Sequence, residues 1–238
     1  MRRNLIWGLV GVLLWGSLAF AGESELVKKA RAMLAAAPND TQVMVKAAQI
    51  MYKEGLHDEA VTIWREVMKL KPAMAEPHFF VGVAFFDRGD TAESVVEFKK
   101  AIELKSDYDE AHYHLGTTYA ELEDRDNAIR EYRETIRINP SFPEVNDDLG
   151  RLLLDSGKAE EAIKAYKEEL RNKPDNAAAH FGLGTALKTT GNYDEAIREF
   201  ENYIRLMPSR DSEEEIERAN QMISQTRKQK EKSLEPQE

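Results

Sequence analysis

The sequence predicts an all-α solenoid built from five copies of one two-helix repeat, and three observations carry that expectation. Small residues recur every 34 positions: Gly82, Gly116, Gly150 and Gly184 form one column, and Ala60, Ser94, Ala128, Ala162 and Ala196 form another. Aromatic residues keep the same spacing at Trp64, Phe98, Tyr132, Tyr166 and Phe200, and Pro72, Ser106, Pro140, Pro174 and Pro208 close each copy. Inside each copy the apolar residues follow the 3.6-residue period of a helix rather than strand alternation. Columns that share one period over five copies mark a repeat architecture, in which each copy buries its apolar face only by stacking on its neighbours.

The N-terminus stands apart from the repeats. Arg2 and Arg3 precede an uncharged run from Leu5 to Phe20, and Ala19-Phe20-Ala21 places small residues where an export peptidase reads them. That is the layout of a secretory signal peptide over residues 1–21, cleaved after Ala21. The alternative is an uncleaved membrane anchor, since about 17 apolar residues is the lower limit for spanning a bilayer. Either reading holds the arginines in the cytoplasm and places the rest of the chain outside it. The short leader and the absence of cysteine favour a periplasmic location, with secretion as the alternative. The segment 22–40 follows, with Leu26, Ala30, Met33 and Leu34 on one helical face before Pro38, and reads as an N-terminal capping helix.

Residues 177–210 show how one repeat is made. His180, Leu183, Gly184 and Leu187 form the apolar stripe of a first helix. Gly191-Asn192 ends it, glycine being suited to the left-handed residue after a helix. A second stripe at Ala196, Ile197, Phe200 and Ile204 runs to Pro208. Small residues at Gly184 and Ala196 let the two helices approach, and Phe200 fills the space beside them. After the last repeat, residues 211–228 carry Ile216, Ala219, Met222 and Ile223 on one face and read as a C-terminal capping helix. Residues 229–238 are rich in Lys, Glu and Gln and read as a disordered tail.

Composition narrows the function. The 238 residues contain 33 Lys and Arg against 43 Asp and Glu, a net charge of −10 that becomes −12 once the leader is removed. Nucleic acid binding needs a basic face, which argues against such a partner. With no cysteine there is no disulfide framework, thiolate metal site or cysteine nucleophile. His78, His112 and His180 share one repeat column, but adjacent repeats lie about 10 Å apart and zinc ligands must converge to about 2 Å. These histidines therefore read as packing residues. Asp124 and Asp126 lack the ligand alternation of a calcium loop, and no hydrolase or phosphate-loop motif occurs. The expectation is a non-enzymatic chain that takes no cofactor or metal.

The four columns resemble those of the tetratricopeptide repeat family, with copies at residues 41–74, 75–108, 109–142, 143–176 and 177–210. Ala48 replaces the first glycine and Ser106 one proline. Glu123 stands where the other copies have the turn glycines Gly55, Gly89, Gly157 and Gly191, and Glu169 and Tyr203 interrupt a small packing column. The resemblance implies a right-handed α-solenoid whose concave groove is lined by a second stripe on each first helix, turned roughly 135° from the core stripe. By position that groove comprises Val45, Gln49, Tyr52, Phe79, Val83, Phe86, Tyr113, Thr117, Asp147, Arg151 and Asp155. It is apolar in the first copies and mostly acidic at Asp147, Asp148 and Asp155. One branch of the family grips C-terminal carboxylates with Lys and Asn in its first repeat and Lys and Arg in its third; here those places hold Val45, Gln49, Glu110 and His114, so chaperone tails are not the implied ligand.

The expected function is a protein-interaction scaffold that holds a peptide or helix with apolar anchors and basic residues. Membrane contact is expected only through an uncleaved leader. The alternative is a self-associating subunit of an envelope assembly, a homo-oligomer packed through its apolar faces.

Overall fold

The computed structural model describes residues 23–208 and 212–235; the expected signal peptide, residues 1–21, lies outside them. The described residues form twelve helices in two compact units, one ending at Lys105 and the other starting at Ser106.

The N-terminal unit contains α1 (Glu25–Ala36), α2 (Thr41–Lys53), α3 (His57–Leu70), α4 (Ala75–Asp87) and α5 (Thr91–Leu104). Ser24 caps α1 by accepting the Val27 amide at 3.2 Å, and Asp40 caps α2 by accepting the amides of Gln42 and Val43. Such caps satisfy donors that the helix itself leaves open. Each helix packs on the next, and α4 also touches α2. Met44, Met51, Trp64, Val67 and Val81 form the centre of the core.

The C-terminal unit contains α6 (Asp109–Glu121), α7 (Arg125–Ile138), α8 (Val145–Asp155), α9 (Ala159–Asn172), α10 (Ala177–Thr189), α11 (Tyr193–Leu206) and α12 (Glu213–Leu234). Helices again pack in sequence, with α8 also meeting α10. Tyr132, Leu153, Leu187 and Phe200 are among its fully buried side chains.

The helical glycine column works by close approach. A Cβ on Gly82 would come within 2.8 Å of the Phe98 ring, and one on Gly116, Gly150 or Gly184 would come as close to Tyr132, Tyr166 or Phe200. The aromatic ring of each second helix thus lies directly against the first. Ala48 breaks the column and is buried in the same core as Trp64. Trp64 stacks on Phe80, with ring centroids 5.2 Å apart and planes 20° from parallel.

Turn geometry also matches the repeat register. Gly55, Gly89, Gly157 and Gly191 adopt φ between 72° and 85°, and Glu123 takes the same left-handed conformation at φ 58°. For a residue with a Cβ this costs about 1–2 kcal/mol.

Two boundaries differ from the sequence reading. The fourth repeat's first helix begins at Val145 rather than near residue 143, because Glu144 is left-handed at φ 67° and a helix cannot run through it. The C-terminal helix continues to Leu234, which corrects the expected disorder over 229–234. Lys230 reaches Asp194 at 2.5 Å, which ties this last stretch of the helix to α11.

Candidate partner-binding faces

In the N-terminal unit the second stripe lies on α2 and α4. Gln49, Tyr52, Val83 and Phe86 are half-buried and reach the surface. Val45 and Phe79 are each only 8% exposed, so their place in the expected groove needs correction. Val45 is drawn into the core beside Met44 and Ala48. Phe79 lies edge-on to Phe80 at 5.1 Å and 6.0 Å from Phe98. The accessible apolar surface is therefore Tyr52, Val83 and Phe86. Tyr52 donates its hydroxyl to Asp87 at 2.6 Å and packs its ring on His57 and Trp64. Burial, then the Asp87 bond and charge, push the Tyr52 phenol well above its ordinary range.

The stripe of the C-terminal unit is polar and internally bonded. Tyr113 donates to Asp148 Oδ2 at 2.8 Å, and its ring lies 4.8 Å from Phe142 and 5.8 Å from Tyr132. Thr117 donates to the Tyr113 carbonyl and sits 3.2 Å from the Tyr132 hydroxyl. Arg151 reaches Asp148 Oδ1 at 2.9 Å, so Asp148 serves two donors at once. Asp147, beside it, is half-buried. Burial, then the negative charges of Asp148 and Glu169, push its carboxyl up to about 6. Asp155 is exposed one turn beyond Arg151. The structure thus gathers Tyr113, Thr117 and Arg151 through Asp148 and Tyr132, while Asp147 adjoins the cluster without joining its bonds.

The histidine column does more than pack. His78, His112 and His180 each hold a glutamate of the following helix through Nδ1: Glu97 at 2.7 Å, Glu131 at 2.8 Å and Glu199 at 2.6 Å. Each pair clips the two helices of one repeat together. Burial alone would raise Glu131, yet bonds to His112 and Arg130 hold it below the ordinary carboxylate range. Sequence reasoning missed these pairs, although Glu97, Glu131 and Glu199 share one column in the same three repeats as the histidines. It also missed that the tip of Tyr166 lies against Gly182. Among the described residues no three His, Asp or Glu side chains could hold a metal ion together, and no helix is long and apolar enough to cross a membrane.

Comparison with known proteins bears on the family. Models of the tetratricopeptide repeat match residues 148–211 and 109–142, and a TPR repeat model matches 82–123. Among solved structures, MamA is 24% identical with a TM-score of 0.64 over 70% of this chain and 91% of that one. YrrB, described as a TPR protein with an unusual peptide-binding site, is 16% identical with a TM-score of 0.68 over 85% of this chain and 99% of that one. A MamA RS-1 double mutant is 19% identical with a TM-score of 0.64 over 81% of this chain and all of that one. At these identities the likeness is one of fold. No curated protein sequence matches. The paired helices, the glycine-to-ring contacts and the family-model matches together establish that this chain belongs to the tetratricopeptide repeat family of protein-interaction scaffolds.

Proposed function

We propose that the chain is a non-enzymatic scaffold outside the cytoplasm that binds a peptide or helical segment of a partner protein on its first-helix faces. The observation that carries this reading is the half-buried trio Tyr52, Val83 and Phe86. These apolar side chains share one stripe across two packed helices and keep one side open. Aromatic and aliphatic anchors of this kind supply most of the energy of a peptide-binding surface. The peptide-binding site of YrrB, a protein of similar fold, supports the same use of this scaffold. Export rests on Arg2, Arg3, the apolar run and Ala19-Phe20-Ala21; a mature chain starting at Gly22, read by mass, checks it.

The test is panning a random 12-residue peptide display library on the chain starting at Gly22, then measuring the winners against the variant V83D/F86D. Both positions are partly exposed, so the variant should keep its helical circular dichroism. Affinity is expected to fall at least about tenfold, the loss of one good anchor. Unchanged affinity in a folded variant would overturn the assignment of this face.

A further inference from the structure

Tyr166 and Asp147 stand out in the C-terminal unit because neither has a hydrogen-bond partner among the described residues. Tyr166 is only 3% exposed. Its counterpart one repeat earlier, Tyr132, has the Thr117 hydroxyl 3.2 Å away. In the fourth repeat the place of that threonine is taken by Arg151, which is drawn to Asp148 at 2.9 Å. The Tyr166 hydroxyl is thereby left over.

Its direction is fixed by Gly182. A Cβ on that residue would fall 2.3 Å from Tyr166 Cζ and 2.6 Å from its hydroxyl oxygen. Only a glycine leaves room for the ring tip between α8 and α10, and the notch is this glycine's side-chain place, floored by the Tyr166 tip. Asp147 stands on α8 one turn before Gly150, where a Cβ would fall 2.9 Å from Tyr166 Cζ. It therefore shares the helix face that the ring tip touches, and its negative charge raises the Tyr166 hydroxyl's pKa further after burial. Around the pair stand Asp148, Asp155 and, buried on α9, Glu169. Arg151 is committed to Asp148, and Glu169 already has Asn176 at 3.1 Å and Lys173 at 3.6 Å.

We infer that the notch formed by Asp147, Tyr166 and Gly182 receives a cationic side chain of the bound partner, its ammonium donating to the Asp147 carboxylate and the Tyr166 oxygen. A hydroxyl at the tip of a buried ring and a half-buried carboxylate, neither bonded among the described residues, gain most from a group that carries several N–H donors and a positive charge. The bonded pair of Arg151 and Asp148 forms one wall and leaves Asp147 as the acceptor. This inference rests on the proposed peptide-binding role and gives the partner a second feature, a basic side chain.

The experiment uses n-butylammonium chloride as the probe, titrated into the isotopically labelled chain starting at Gly22 and followed by amide NMR, with sodium chloride at matched ionic strength as control. Saturable shifts are expected at Asp147, Tyr166 and Gly182 with the ammonium and not with sodium. D147N, which removes only the charge, should weaken binding at least about tenfold, and Y166F should weaken it severalfold. Equal shifts with sodium, or saturation unchanged in D147N, would overturn the inference. If V83D/F86D loses its selected peptides while the ammonium titration fails, the peptide face stands and the notch alone is wrong. If peptides bind regardless of that variant while the ammonium saturates as expected, the notch stands as a cation site and the peptide face is wrong.

Discussion

The two units present the same stripe of the same helices with opposite chemistry. Residues 23–105 carry 12 basic and 13 acidic side chains, nearly neutral, and expose Tyr52, Val83 and Phe86. Residues 106–238 carry 19 basic and 30 acidic side chains, and their stripe is a hydrogen-bonded set around Asp148. The repeat register places both stripes at equivalent positions, so most of this difference comes from side chains.

The contrast is sharpest inside the N-terminal unit, between two phenylalanines of α4. Phe79 is buried against Phe80 and Phe98, whereas Phe86, seven residues on and on the same stripe, reaches the surface. F79D is therefore expected to lower stability by about 3–5 kcal/mol, the cost of lost packing plus a buried, unpaired charge. F86D should stay within about 1 kcal/mol of the parent. Urea unfolding followed by circular dichroism measures both. Equal losses would mean that the two rings are equally buried and that the exposed apolar stripe does not exist.

Much of this was legible in the sequence, because the 34-residue columns are set by steric necessity. A helical glycine facing an aromatic ring, and a glycine at a left-handed turn, each leave a mark that reads as spacing. Glu123 could be read as a strained turn residue for the same reason, and its φ is 58°. What stayed hidden depended on which neighbour filled which space. Phe79 and Phe86 obey one rule of position, and only the rings around Phe79 decide that it is buried. Phe80 packs against the core because the Trp64 ring offers it a stacking partner. The notch at Gly182 could not be read either: inside a helix a second glycine beside Gly184 looks like weak helix propensity, and its meaning depends on Tyr166 from the preceding helix.

The C-terminal unit offers a smaller effect with a definite sign in pH. Asp147 sits near 6 against about 3.9 in an unfolded chain, so the folded protein holds this proton more tightly. The cost of ionising it is absent below about pH 4, grows between about 4 and 6 and is complete above that range. D147N removes that cost. The variant should match the parent near pH 4 and exceed it by about 1–2 kcal/mol at pH 7, once solvent screening of a partly exposed group is allowed for. Urea midpoints at the two pH values test this. A variant less stable at pH 7 would show that Asp147 is already satisfied within the fold, and would remove the reason for assigning it to a partner.

The smallest expected effect concerns the repeat that holds the notch. Three repeats carry a histidine clipped to a glutamate of the next helix, but in the fourth the two places hold Asn146 and Ala165. Asn146 is 3% exposed and its Nδ2 has no partner among the described residues, which is what loss of the facing carboxylate should leave behind. Restoring the pair as N146H/A165E places an imidazole and a carboxylate where the neighbouring repeats hold them 2.6–2.8 Å apart. A165E alone buries a carboxylate without its histidine and should destabilise, and N146H alone should do little. The two together should be more stable than their separate effects predict by about 1 kcal/mol, the net worth of one buried charge-assisted bond. Four urea curves close the cycle. Additive effects would mean that the fourth repeat differs in backbone as well as in side chains, which its first helix, starting only at Val145 after left-handed Glu144, gives it room to do.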